Sequence, residues 1–230
     1  MLIRSVIQLA RPNNWVKNVF VFAPAFFSGE FLSVSVVLRS LIAFIAFCLM
    51  SSAVYCINDI KDSERDKLHD VKCRRPVAAG AISKTMACSI SIVFVILSLL
   101  ISYVLLKSSL ALVLIVYLII NLLYSFGLNR YSIVDISIIA FGFVLRLIAG
   151  GVAADCVLSA WIIIVTFQLS LFLALGKRRE DAELGAGKNE RIRANYTVGF
   201  IVAAMSLVGA STIASYFIYT VFPNPLRIIT

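Results

Sequence analysis

The stretch that decides the fold runs from Val36 to Lys67. Its first part, Val36-Val37-Leu38-Arg39-Ser40-Leu41-Ile42-Ala43-Phe44-Ile45-Ala46-Phe47-Cys48-Leu49-Met50-Ser51-Ser52-Ala53-Val54-Tyr55-Cys56-Ile57, carries a single charge. Its second part, Asn58-Asp59-Ile60-Lys61-Asp62-Ser63-Glu64-Arg65-Asp66-Lys67, is mostly charge. An apolar run of this length suffices to carry a helix, at about 1.5 Å per residue, across a hydrocarbon core about 30 Å thick. Helix is forced there, because lipid offers no partner to the backbone N–H and C=O groups. The same alternation of long apolar runs and short charged clusters continues along the 230-residue chain, which is 61% apolar and 14% charged. Average globular chains are about 45–50% apolar and about 25% charged, so a soluble enzyme, a disordered tail and a secreted disulfide scaffold are excluded.

Seven apolar spans are expected, at about residues 16–29, 36–57, 85–106, 109–128, 132–153, 157–176 and 197–222. The fold class is all-α: a polytopic transmembrane helical bundle forming a single domain over 1–230. The span 16–29 contains Pro24, and six further spans argue against its being a signal peptide. Basic residues set the orientation. Arg4, Arg11, Lys17, then Lys61, Arg65, Lys67, Lys72, Arg74, Arg75, Lys84, then Arg130, then Lys177, Arg178, Arg179, Lys188, Arg191 and Arg193 all fall on one side. The other side has Arg39, Lys107 and Arg227. The positive-inside rule makes the first side, with the N-terminus, cytoplasmic. Placed this way, the net charge of +9 is topogenic and implies no nucleic-acid partner. The sequon Asn195-Tyr196-Thr197 falls on the cytoplasmic side and is a chance match. Cys48, Cys56, Cys73, Cys88 and Cys156 are scattered, with His69 the single histidine, so no zinc-ligand spacing exists.

If the helix of span two continues into its charged end, Asp59, Asp62 and Asp66 fall at i, i+3 and i+7 on one face, bordered by Asn58. Carboxylates at the end of an apolar helix are costly unless they serve a function. A hard cation such as Mg²⁺ offsets their repulsion and shares itself with substrate phosphates; a solvated charge-rich loop is the bland alternative. Downstream, His69, Lys72, Arg74, Arg75, Pro76 and Gly80 add cations suited to a polyphosphate. The loop Lys177-Arg178-Arg179-Glu180-Asp181-Ala182-Glu183 lies on the same membrane side, and the two loops are expected to frame a cavity open to the cytoplasm, with ordinary topogenic loops as the alternative. In span five, Arg146 sits mid-membrane, at an insertion cost of at least about 2.5–3.5 kcal/mol. Asp135 lies three turns earlier on the same face, at roughly 16 Å, too far for a direct pair. Gly142 and Gly150 flank Arg146 and leave a small stripe that a neighbour or a ligand can approach. Arg146 is read as a ligand for a buried anion, with a snorkelling arginine as the bland alternative.

Taken together, these residues resemble the UbiA-type superfamily of intramembrane prenyltransferases. Asn58-Asp59-x-x-Asp62-x-x-x-Asp66 matches its first aspartate-rich motif, N-D-x-x-D-x-x-x-D. Arg11-Pro12-Asn13-Asn14-Trp15-Val16-Lys17-Asn18 resembles the R-P-x-Q-W-x-K-N signature of the polyprenyl-phosphate (decaprenyl-phosphate) phosphoribosyltransferase branch, with Asn14 in place of Gln. His69 through Lys72, Arg75 and Pro76 to Gly80 resembles H-P-x-K-x-x-R-P-x-A-x-G, with Asp70 in place of proline. Tyr124-Ser125, Asp135, Gly142-Phe143-Val144-Leu145-Arg146 and Ala149-Gly150 resemble the branch's fifth-helix block, and Asn129 stands where lysine is common. Leu175-Gly176-Lys177-Arg178-Arg179 resembles the basic turn that stands where other members carry a second aspartate motif.

The resemblance implies a Mg²⁺-dependent transferase of the inner membrane. It would move 5-phosphoribosyl from phosphoribosyl diphosphate, a soluble phosphorylated sugar donor, to a polyprenyl phosphate for cell-envelope glycan synthesis. It implies Asp59, Asp62 and Asp66 as metal ligands and, with Lys17, as catalytic residues. Asn14, Asn18, Asn58, Lys72, Arg75, Tyr124, Asp135, Arg146, Lys177 and Arg178 are the implied substrate contacts. Members of the superfamily usually have nine helices, so the last two of the family fold are expected to be missing here. Two readings stay open beside this one. One is a prenyltransferase acting from a prenyl diphosphate on an aromatic or apolar acceptor, for which Glu180, Asp181 and Glu183 have the wrong spacing. The other is an inactive lipid-binding paralogue. A transporter would show paired discontinuous helices, and no such repeat is seen.

Overall fold

A computed structural model of the chain describes residues 2–128, 131–183 and 197–221. Asn129, Arg130, Lys188, Arg191, Arg193, Asn195, Arg227 and the last residue of the seventh expected span lie outside them. The longer elements among the described residues are helical: α1 (Leu2–Ala10), a 3-10 helix (Pro12–Phe22), α2 (Ala23–Phe27), α3 (Val34–Lys67), α4 (Lys84–Leu105), α5 (Ser108–Phe126), α6 (Ser132–Ala154), α7 (Ala160–Glu183) and α8 (Val198–Val221). Helices α3 to α8 are six elements long and apolar enough to cross a membrane. Large apolar side chains stay exposed on them, Leu207 and Ile213 at 73% each, as lipid-facing surfaces require.

The first expected span departs from the reading above. Residues 16–29 form the end of the 3-10 helix and the short α2 rather than one membrane-length α-helix. The physical reason is local. Pro12 opens the 3-10 helix, Arg11 before it takes a left-handed conformation (φ 52°), and Pro24 interrupts the apolar run. Each proline removes a donor and resists a continuous i→i+4 ladder.

The chain divides into two compact units, Met1–Leu122 with Ile148–Cys156, and Leu123–Leu147 with Val157–Thr230. In the first unit α3 and α4 pack through serines. Ser91 Oγ donates to Ala53 O (3.0 Å) and Ser98 Oγ to Ala46 O (2.7 Å). As the serine number rises by seven the alanine number falls by seven, which is an antiparallel pair in fixed register. Small residues permit the close approach and the hydroxyls hold it where apolar burial gives no drive. The charged end of this unit is closed by a cluster of Leu9, Cys56, Val77, Ile82 and Ala87, which seats α1 and the 76–82 turn on the end of α3. The turn depends on Gly80, which has φ +73°. At the other end, Lys107 donates to Asp155 (2.7 Å) and holds its carboxyl below the usual carboxylate range. In the second unit Ile136, Ala174, Leu175 and Ile201 bring α6, α7 and α8 together, and Gln168 Nε2 donates to Ser211 Oγ (2.7 Å).

Gly150 shows what part of the small stripe in span five is for. A Cβ added there would collide with Val21 O and lie 2.9 Å from Pro24 Cδ, so α6 meets the backbone of the 3-10 helix directly. Gly150→Ala is expected to destabilise the protein by at least about 1–3 kcal/mol, the usual cost of overpacking. Gly199→Ala, with open space at its Cβ, is expected to leave stability unchanged. Thermal unfolding of both variants in detergent checks the pair.

Candidate active site

The charged end of α3 remains helical to Lys67, so the aspartates keep helical spacing. At 100° per residue, Asp66 returns to within about 20° of Asp59, whereas Asp62 stands about 60° away. The structure follows that difference. Asp59 and Asp66 are buried at 1% exposure each, on the same side as Ser63. Asp62 is half-buried and pairs with Arg65 at 3.4 Å.

Buried carboxylates need compensating charge, and two arginines from outside α3 supply it. Arg11 donates through Nη2 to Asp59 Oδ1, with its guanidinium 5.0 Å from the centre of the Tyr55 ring. Arg75 donates through Nη1 to Asp66 Oδ2 (2.5 Å) and stands 3.6 Å from Asp59 Oδ1. Asp59 Oδ2 is buried and accepts no hydrogen bond from the described residues. Arg75 reaches in from the turn after α3, which His69 shapes: its Nδ1 accepts from the backbone N–H of Val71 (3.2 Å) and Lys72 (3.4 Å). His69 therefore holds the turn. Glu64 binds Lys67 (2.9 Å) and Lys84 (2.8 Å), tying the end of α3 to the start of α4.

The signature segment 11–18 lies along α3. Trp15 Nε1 donates to Ser52 Oγ (3.1 Å), and the fully buried Asn18 donates from Nδ2 to Ser51 Oγ and Cys48 Sγ (both 3.2 Å). Asn18 thus docks the 3-10 helix onto α3, which places Arg11. Asn14 is half-buried and Lys17 is exposed on the same helix. Asn58, Lys72 and Arg75 are half-buried, Asn58 one residue before Asp59.

Three of the remaining expected residues form a separate constellation in the second unit. Asp135, in the first turn of α6, accepts from Tyr124 Oη (2.8 Å) and from Arg178 through a two-pronged fork, Nε to Oδ2 (2.9 Å) and Nη2 to Oδ1 (3.0 Å). This geometry is the strongest for a guanidinium and a carboxylate. It ties α5, α6 and α7. Arg146 is buried, donates from Nη1 to Gly142 O (2.6 Å) and lies 5.5 Å from the centre of the Phe143 ring; Lys177 is exposed.

Sequence reasoning placed Arg11 in a signature without giving it a role. The signal that points to it is the cost of burying Asp59, which demands a cation from elsewhere in the chain. Among the described residues, no three His, Cys, Asp or Glu side chains stand close enough together to hold an ion. The donor chemistry still fits Mg²⁺, which is held by one or two carboxylates and completes its shell with water and substrate phosphate. The unpartnered, buried Asp59 Oδ2 is the observation that favours such a ligand.

Six membrane-length helices, one of them ending in buried aspartates that pair with half-buried arginines from flanking segments, define a polytopic membrane protein. The chain belongs to the UbiA prenyltransferase family, whose model matches residues 19–229, and is a transferase of that superfamily. It is 37% identical over 222 residues to the decaprenyl-phosphate phosphoribosyltransferase of Mycolicibacterium smegmatis, covering 94% of this chain and 70% of that protein. The proteins of the same name from Mycobacterium tuberculosis and Corynebacterium glutamicum are each 34% identical, covering 94% and 92% of this chain, and 73% and 65% of those proteins. The fold matches that of a UbiA homolog from Archaeoglobus fulgidus bound to GPP and Mg²⁺, with a TM-score of 0.78 at 19% identity over 95% of this chain and 78% of that one.

The Asp135 fork generates a graded prediction. Asp135→Ala removes the fork and leaves Arg178 the longer, half-buried pair to Asp181 (3.4 Å), and is expected to cost about 3 kcal/mol, the lower end for breaking a buried pair. Tyr124→Phe removes one hydrogen bond to a charged group and is expected to cost about 1.5–3 kcal/mol. Equilibrium unfolding in mixed micelles ranks the two; equal costs count against the fork as the main tie.

Proposed function

We propose that this chain transfers 5-phosphoribosyl from phosphoribosyl diphosphate to a polyprenyl phosphate, in a Mg²⁺-dependent reaction serving envelope glycan synthesis. Its N-terminus and charged loops face the cytoplasm, where the soluble donor is found, and the transferase acts as a single domain in the inner membrane. The observation that carries the reading is the quartet of Arg11, Asp59, Arg75 and Asp66. It puts carboxylates for a cation beside guanidiniums for phosphate oxygens, at one end of an apolar helix. The names of the similar mycobacterial and corynebacterial proteins support the choice of donor and acceptor.

In the proposed reaction an oxygen of the lipid phosphate forms a bond to the anomeric carbon. The bond from that carbon to the diphosphate breaks, and the diphosphate leaves with the electron pair. The lipid phosphate is already an anion, so no strong general base is needed, and the residues around Asp59 offer none. Asp59 and Asp66, with Asp62 at their flank, would hold Mg²⁺, which supplies Lewis-acid neutralisation of the leaving diphosphate. Asn58 borders that site. Lys17, Lys72 and Arg75 bind the remaining phosphate oxygens as charge-assisted donors. Arg146 is assigned to the lipid phosphate, Lys177 to an anionic group of a substrate, and Tyr124, Asp135 and Arg178 to holding the second constellation in shape. Asn14 and Asn18 position the 3-10 helix that presents Lys17.

Purified protein in detergent, given radiolabelled phosphoribosyl diphosphate, Mg²⁺ and a polyprenyl phosphate, is expected to move label into the organic phase. Asp59→Ala or EDTA should abolish the transfer. Label that stays aqueous, while a labelled prenyl diphosphate is consumed under the same conditions, sinks the donor assignment in favour of a prenyl transfer.

A further inference from the structure

We propose that Arg11 and Arg75 make divalent-cation binding at Asp59 and Asp66 conditional on a polyphosphate anion, so that cation and anion load together. This rests on the metal-phosphate reading given above and adds to it a coupling device and a role for Arg11.

The four side chains form a charge-balanced set. Arg11 and Arg75 both lie against Asp59 Oδ1, and Arg75 spans to Asp66 Oδ2. A cation entering alone gains the carboxylates but meets two guanidiniums already seated on them. An anion entering alone gains the guanidiniums but meets two buried carboxylates. Either one by itself breaks the balance in a poorly solvated place, where unpaired charge is most costly. Entering together they exchange partners: the cation takes Asp59 and Asp66, the anion takes Arg11 and Arg75, and every charge stays matched.

The exposures say which partners move. The side chains of Asp59 and Asp66 are 1% and 2% exposed and sit on a continuous helix, whereas those of Arg11 and Arg75 are 23% and 26% exposed. Both arginines come from connecting segments, Arg11 just ahead of the 3-10 helix and Arg75 in the turn after α3. The arginine forks therefore swing, and the carboxylates stay. Asp59 Oδ2, without a hydrogen-bond partner, gives the cation its first contact before the exchange completes.

The test uses the full chain in detergent micelles, with Mn²⁺ as the cation probe, read by its EPR signal, and inorganic diphosphate as the anion probe. A titration without protein corrects for complex formation in solution. In the wild type, diphosphate is expected to tighten Mn²⁺ binding about tenfold, within the 5–150-fold span typical of coupled sites. By linkage, Mn²⁺ should tighten retention of labelled diphosphate by the same factor. Arg11→Gln and Arg75→Gln should each raise the affinity for Mn²⁺ alone, lower that for diphosphate, and shrink the coupling. Arg11→Lys keeps the charge, serves if the glutamine variant folds poorly, and should retain most of the coupling. Wild-type Mn²⁺ affinity that is the same with and without diphosphate overturns the proposal without recourse to any variant. Mn²⁺ binding that Asp59→Asn does not weaken overturns it together with the metal reading. Binding lost in Asp59→Asn but unchanged in both arginine variants removes the coupling alone and leaves the metal site standing.

Discussion

Everything at the charged end of the first unit answers to the burial of Asp59 and Asp66 on α3. A carboxylate taken out of water needs a partner or must neutralise, and α3 has no cation on that face. The partners come from Arg11, 48 residues earlier, and Arg75, nine residues later than Asp66. Bringing Arg11 in requires the preceding helix α1 to dock on the end of α3 through Leu9, and the backbone to turn sharply at Arg11 itself. Bringing Arg75 in requires the compact turn that His69 and Gly80 shape. The left-handed arginine, the 3-10 helix with its buried Asn18 and the capped turn are thus local answers to one electrostatic demand.

Both units bury a carboxylate against arginine, and the difference between them is instructive. Asp135 receives three hydrogen bonds that engage both of its oxygens, so most of its accepting capacity goes into joining α5, α6 and α7. Asp59 has one oxygen crowded by two guanidiniums and one with none. A saturated carboxylate is a fastener. An unsaturated one, buried more deeply still, has capacity left over, and it is there that the proposed cation would sit.

Much of this was legible in the residues and some was not. The six long helices follow from apolar runs punctuated by charge, and the continuation of α3 to Lys67 follows from an uninterrupted helical spacing. The region 16–29 misled because hydropathy counts Val19, Phe20, Val21 and Phe22 as a span without weighing Pro12 and Pro24 against helix continuity. The face shared by Asp59, Asp62 and Asp66 was visible, but its division into two buried members and one flanking member depends on where α3 is covered. The partner of Asp135 was not visible at all: Asp135 and Arg178 lie 43 residues apart on different helices, and nothing local announces their fork. Arg11 was hidden for the same reason. Long-range charge pairing is set by tertiary geometry, which periodicity does not encode.

The serine contacts between α3 and α4 act as a ruler. Ser91 and Ser98 grip the carbonyls of Ala53 and Ala46 at matching seven-residue intervals. A slide of one helical turn would therefore break both grips together. The two helices cannot drift vertically past one another by small steps. Since Asp59 lies six residues beyond Ala53 and Arg75 sixteen before Ser91, the two halves of one grip, the depth at which acid and base meet is fixed from within the hairpin. A change in bilayer thickness would tilt the pair as a unit and leave the alignment of its charged end intact.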